Sequence, residues 1–195
     1  MAISLAAVTD TPAPRKRDAL ATRARILETA QRAFSESGYS HTGIRAIAQS
    51  AGVSSTLLLR YFGSKAGLFE AALSAAMPVS TVISQPRDGL GQALAQALLD
   101  PANAIRPPLM IALAAGDPEA AAIAARVTEE QNIAPLAAWL GAPDGRVRAL
   151  EIAMLATGLV SYLRQLPLQQ VSLAEQQRIA DWFAASVQAI VDRNP

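Results

Sequence analysis

This sequence predicts an all-α protein, on three observations. Apolar residues recur at spacings of three and four, segment after segment, as one buried helix face requires. β-Branched and aromatic residues never alternate over a useful run, so strands are unsupported. The breaks between apolar segments carry helix punctuation, with Ser, Thr or Asp at starts and Gly or Pro at ends. With 195 residues, 51% of them hydrophobic, the chain can bury a sizeable core as one domain or two small ones.

Residues 1–17 hold Pro12 and Pro14 and read as a flexible arm ending in Arg15-Lys16-Arg17. That cluster could track phosphates or enter a minor groove, or be no more than a solvated tail. Leu20, Ala24, Leu27, Ala30 and Phe34 form one face of a first helix. Asp18 can cap its start, and Gly38 suits the left-handed position after its end. Thr42 is a fair N-cap for the next helix. The stretch 43–65 reads GIRAIAQSAGVSSTLLLRYFGSK and carries most of the information in the chain. Ile44, Ile47, Ala48 and Ala51 form a helix face, Gly52 breaks it, and Ser54 opens a second short helix. A helix, a tight glycine turn and a helix can place the second helix in the DNA major groove. A fourth helix opens at Ser64 and reaches about Ala76, so residues 18–77 make one compact unit.

Residues 78–87, with two prolines, two serines and a glutamine, read as a linker. Residues 88–195 read as a helical bundle. Its first helix is amphipathic through Leu90, Leu94, Ala97 and Leu98. Pro107 and Pro108 suit the first turn of a helix that runs to Ala115. Asp117-Pro118-Glu119 supplies a cap, a first-turn proline and an early negative charge for a helix to about Leu140, bent at Pro135. After a turn at Gly141–Gly145 a helix runs to about Leu166, where Pro167 stops it. Ser172 and Glu175 have capping-box spacing for a last helix to about Asp192. Residues 152–163 are apolar nearly all round, and the last helix carries more than one narrow apolar stripe. Such helices must be covered on all sides, by neighbours of the same chain or by a second subunit.

Charge is uneven. Residues 15–65 hold nine Lys and Arg against three Asp and Glu, a net of +6, while residues 66–195 carry a net of −4. A basic third on a mildly acidic remainder is the footprint of one DNA-facing module, although a solvated helix face could cluster charge as well. Thr42, Arg45, Ser54, Ser55, Thr56, Leu59, Arg60, Tyr61 and Lys65 are the candidate DNA-binding residues. Of these, Ser55, Thr56 and Arg45 are the candidates for base edges and Lys65 for phosphate.

The run TRARILETAQRAFSESGYSHTGIRAIAQSAGVSSTLLLRYFGSKAGLF resembles the N-terminal domain of the TetR family of transcriptional regulators. The resemblance rests on the ordered set ILETAQRAF, GY, Thr42, IRAIA, AGVS, YF, SK and Leu68, over about a quarter of the chain. Three positions depart from the family pattern. Thr56 stands where a small residue, often glycine, is usual, Leu59 where tyrosine is usual, and Gly43 where serine or threonine is common. Leu59 can pack inward or meet a thymine methyl, but it cannot donate a hydrogen bond to phosphate.

The resemblance implies a homodimer paired through the last two helices and a small-molecule pocket within a ligand-binding and dimerisation domain over 88–195. Leu155, Leu159, Trp182, Phe183, Val187 and Ile190 are the candidate dimer contacts. Segments 107–115, 127–139 and 149–162 would line the pocket. Thr128, Gln131, Asn132, Thr157 and Tyr162 are its candidate polar groups, and Met110, Trp139 and Met154 its walls. Plain core packing or surface is the competing account for each. An apolar lining with few charges suits an apolar or amphiphilic effector.

Enzymatic constellations are scarce, and no cofactor or metal site is expected. There is no cysteine, and His41 is the single histidine, placed either for exposure or for a phosphate. Gly89 and Gly91 lack the third glycine and the preceding strand of a phosphate loop. Glu129 and Glu130, adjacent on a helix, point apart. The Met1–Val8 stretch has its positive charges after it, the wrong order for a secretory signal, and no apolar run reaches the ~20 residues of a membrane span. The expectation is a cytoplasmic, homodimeric, sequence-specific DNA-binding regulator. Repression is the simpler sign of action, since a dimer on an operator blocks polymerase. The alternatives are a helical assembly module with a basic face and a small helical enzyme.

Overall fold

The computed structural model describes residues 14–193 except 78, 85, 167 and 170, with side chains from Asp18 onward. Residues 1–13 of the expected arm, and Pro167 as a helix stop, lie outside the described residues, whereas Arg15, Lys16 and Arg17 are helical and not part of a flexible arm.

All described regular structure is helical. The N-terminal helices are α1 (Pro14–His41), α2 (Ile44–Ser50), α3 (Ser55–Phe62) and α4 (Lys65–Ala76). Helix α1 starts earlier than Asp18, so that residue is interior and not a cap. Its buried face begins at Ile26 and Leu27 and continues through Ala30 and Phe34, whereas Leu20 and Ala24 are exposed. Gly38 breaks the helical path at φ 71°. Glycine is required there twice over, because a Cβ would also stand 2.9 Å from Leu113 Cβ. The caps at Ser54 and Ser64 form as expected, accepting from the amides of Leu57 at 3.1 Å and Gly67 at 3.0 Å.

The linker contains a short helix, α5 (Val79–Ile83), and the rest of the chain adds α6 (Leu90–Leu99), α7 (Pro107–Ala114) and α8 (Pro118–Thr128). Asp117 caps α8, accepting from Ala120 at 3.0 Å. A π-helical turn (Glu129–Ile133) then leads into α9 (Ala134–Leu140). The sequence expected a bend at Pro135. The distortion falls in the turn just before it, because proline has no N–H and its ring crowds the carbonyl four residues back. Helix α10 (Gly145–Val160) ends in a second π-helical turn, Ser161–Gln165, and α11 (Leu173–Val191) opens with the Ser172–Glu175 capping box.

Two cores result. In the first, Ile26, Phe34, Tyr39, Ile47, Leu58, Leu68, Phe69 and Leu73 of α1–α4 pack with Met110 of α7 and Ala120, Ala124 and Val127 of α8. Phe34 and Phe69 meet edge to face at 5.1 Å. Each fully buried phenylalanine contributes about 1.5–3 kcal/mol, and the ring contact about 0.5–1.5 kcal/mol more. The second core joins α6, α9, α10 and α11 through Leu90, Leu136, Ile152, Phe183 and Val187. The N-terminal helices are therefore clamped to α7 and α8 by shared apolar packing. The 65–83 stretch is apolar and long enough to cross a membrane by composition, but Leu68, Phe69, Ala72 and Leu73 within it are wholly buried in the first core.

Candidate nucleic-acid interface and effector pocket

Helix α3 has one buried residue, Leu58, which anchors it to the first core. Thr56, Leu59 and Arg60 lie on the opposite side, three and four apart, and all are exposed. Leu59 is 41% exposed, so it does not pack inward. Ser55 is half-buried at the edge of that face, and Tyr61 is half-buried against the first core. Ser54 is committed to its cap. Arg45 on α2 is exposed, and among the described residues neither Arg45 nor Arg60 makes an ion pair.

Other basic groups of this region brace the fold. Arg25 Nε donates to the Ala51 carbonyl at the end of α2, at 2.8 Å. Arg23 stands 5.3 Å from the centre of the Phe62 ring, and Arg32 pairs with Glu28. The Lys65 ammonium lies 4.2 Å over the Tyr39 ring. Tyr39 in turn donates its hydroxyl to Glu119 Oε2 at 2.6 Å. Burial, reinforced by the Glu119 carboxylate, raises the Tyr39 phenol well above its usual range. Thr42 is a correction: it is buried, and its hydroxyl donates back to the Gly38 carbonyl at 2.6 Å. Gly43 holds the N-cap position of α2 instead, so the Thr42 hydroxyl closes the end of α1 and has no proton left for DNA.

Under the C-terminal end of α4 lies a cavity of about 430 Å³. Met77, Val79 and Val82 close one side, Leu94 and Leu98 of α6 another, and Leu136, Ile152 and Ala156 the floor. Its polar lining is Gln31, Thr81, Asn103, Arg106 and Asn132. Gln31 Nε2 donates to the Ala72 carbonyl at 3.0 Å, tying α1 to α4 at the cavity wall.

A second, larger concavity of about 660 Å³ opens on the outer surface between α10 and α11. Met154, Leu155, Tyr162, Leu163, Ile179 and Trp182 line it, and it is nearly all apolar. Met154 is 65% exposed, Tyr162 62% and Trp182 57%.

Two family models match the chain. That of bacterial regulatory proteins of the tetR family matches residues 26–72, and that of the tetracyclin repressor-like C-terminal domain matches residues 88–191. The chain belongs to the TetR family. Solved structures agree in fold. A Rhodococcus sp. protein described as a TetR-family transcriptional regulator superposes with TM-score 0.68 at 20% identity, covering 88% of this chain and 98% of that one. NalD of Pseudomonas aeruginosa, described as the secondary repressor of the MexAB-OprM multidrug efflux pump, gives 0.61 at 21% identity, covering 87% and 96%. A Saccharomonospora viridis regulator in complex with choline gives 0.56 at 19%, covering 84% and 95%. A search of proteins with curated descriptions finds no significant match.

In this TetR-family chain the pocket segments expected from the sequence do meet, but most of the named side chains do not line the cavity. Asn132 alone of the eight does. Met110 is wholly buried in the first core, and Gln131 donates to Ser74 Oγ at 3.1 Å. Trp139 stacks under Arg87, whose guanidinium stands 4.5 Å from the ring centre. Thr157 donates to the Ala153 carbonyl at 2.9 Å, and the buried Thr128 hydroxyl has no partner among the described residues. Met154 and Tyr162 face outward into the α10–α11 groove. Two of the expected dimer contacts are likewise corrected. Phe183 and Val187 are wholly buried within the chain itself, while Leu155, Leu159, Trp182 and Ile190 line the groove. Of the six, only those on the groove are left for a partner. Gln31, Asn103 and Arg106 went unnoticed because their segments meet only in space, and nothing local marks them.

Proposed function

We propose that this chain is a homodimeric, ligand-released repressor that binds a two-fold DNA operator in the cytoplasm. The observation that carries the reading is the outward face of α3, where Thr56, Leu59 and Arg60 stand exposed on a helix whose other side is anchored by the buried Leu58. Thr56 and Arg60 can hydrogen-bond base edges or phosphates, and Leu59 offers a contact for a thymine methyl. One chain carries one such helix, and a two-fold site needs two about 34 Å apart. The apolar α10–α11 groove, centred on Trp182, Met154 and Tyr162, is the surface that a second copy would cover.

The cavity under α4 is the effector site in this reading. Ala75, Ala76 and Met77 at the end of α4 form part of its wall, and α4 is joined to α3 by the Gly63–Ser64 turn. A ligand that fits better when α4 is tilted lowers operator affinity by its differential affinity for the two states. The Saccharomonospora neighbour was solved with choline, a quaternary ammonium. Among the described residues no acidic or aromatic side chain lines this cavity, so such a cation is not matched here. Selection of bound sequences from a random DNA pool tests the reading: it predicts a palindromic consensus with half-sites one helical turn apart. No enrichment, or enrichment of a single half-site, contradicts it.

A further inference from the structure

Among the described residues the cavity under α4 holds a single formal charge. Arg106 lines it, half-buried, and no described Asp or Glu does. Among the described residues no carboxylate lies within ion-pair distance of the Arg106 guanidinium. A half-buried cation loses part of its hydration, and among the described residues no hydrogen bond or ion pair to its guanidinium replaces it. Asn132, on the same lining, makes no side-chain hydrogen bond among the described residues, so its amide donors are also uncommitted. Gln31 and Asn103 differ, since their amide groups already donate to the carbonyls of Ala72 and Ala97. The remaining walls, Leu94, Leu98, Leu136 and Ile152 among them, are hydrocarbon.

We infer that the effector is an apolar monocarboxylate, with its carboxylate on Arg106 and its hydrocarbon body among the leucines of α6 and α9. This rests on the effector reading of the same cavity. One guanidinium matches one carboxylate, two parallel N–H donors to two oxygens. A doubly charged phosphate would bring one charge more than the cavity can neutralise. A volume of about 430 Å³ lies toward the small end of the ~300–1,000 Å³ range of ligand sites, which suits a short or medium acyl or aryl-alkyl chain. Arg106 is also well placed to report binding. Its backbone N–H donates to Ser35 Oγ at 3.0 Å, and Ser35 is buried in α1.

The test is calorimetric titration of the full-length protein with octanoate, decanoate and phenylbutyrate, and with the alcohol of each, well above the carboxylate pKa. At least one acid should bind roughly ten- to a hundredfold more tightly than its alcohol. Arg106→Met keeps the apolar stem. It should abolish that preference while leaving alcohol affinity unchanged, and Arg106→Lys should retain part of it. Equal binding of acids and alcohols, no binding of any of the six, or a preference that survives in Arg106→Met overturns the inference. Operator affinity is measured in parallel. An acid that binds through Arg106 yet leaves operator affinity unchanged upholds the ligand class and overturns the effector reading instead.

Discussion

At the scale of single residues, the sequence was legible wherever a side chain serves its own neighbourhood. Ser54, Ser64, Asp117 and Ser172 cap helices because each acceptor reaches the amide three residues on. Thr42 has the same local look, but its hydroxyl turns back to Gly38, and only the fold of that turn reveals it. Arg148 was invisible as a structural residue. It is 3% exposed and donates to the carbonyls of Leu140 and Gly141, both at 2.8 Å, and of Arg193 at 3.1 Å. Arg148→Met should cost about 2–4 kcal/mol in urea unfolding, because carbonyls are left without donors. A loss under about half a kcal/mol would mean that water replaces the guanidinium. The Lys65 ammonium is half-buried over Tyr39 but opens α4 just after α3, so Lys65→Ala should weaken all sequences alike and lower the salt slope by about one unit, and an unchanged slope would assign Lys65 to bracing alone. Thr56→Val should instead shift the preferred base at one position by ~1–3 kcal/mol. Uniform weakening by Thr56→Val would assign that residue to phosphate.

At the scale of elements, periodicity located the helices and proline placed the distortion near residue 135, yet neither could say which partner a helix meets. Gly91 makes the point. In the sequence it belonged to a weak phosphate-loop pattern. In the structure it lets α6 lie against α11, since a Cβ there would stand 2.0 Å from the Ala184 carbonyl oxygen. Alanine is the better helix former by about 1 kcal/mol, but the backbone clash outweighs that gain. Gly91→Ala should therefore destabilise the protein by about 1–3 kcal/mol in thermal or urea unfolding. A stabilised variant would show that the two helices are not in such close approach. The cavity is a parallel case: the three segments expected to line it do contribute, while its polar lining arises from α1, α5, the loop before α7 and the turn before α9, which no spacing rule connects.

At the scale of the whole molecule, the chain joins a basic reading head to a helical body through a shared core. Glu70–Arg126 at 2.8 Å and Tyr39–Glu119 at 2.6 Å add polar ties between the same bodies. Such a connection lets events under α4 reach α3. The family was legible because motif order is local, whereas the partner surface was only half legible: apolar helices were evident, but which of their residues the chain covers itself was not. Trp182→Glu places a charge in the outer groove and leaves Phe183 undisturbed inside. It should yield folded monomers in sedimentation, and unchanged dimers would move the interface elsewhere. The central claim is that two copies read one two-fold DNA site. Sedimentation of the wild-type chain with a selected operator duplex, against a scrambled duplex of equal length and salt, tests it most directly. The account predicts two chains per operator and at least ~10³-fold weaker binding to the scrambled sequence. A single chain per duplex, or equal affinity for both sequences, would contradict it.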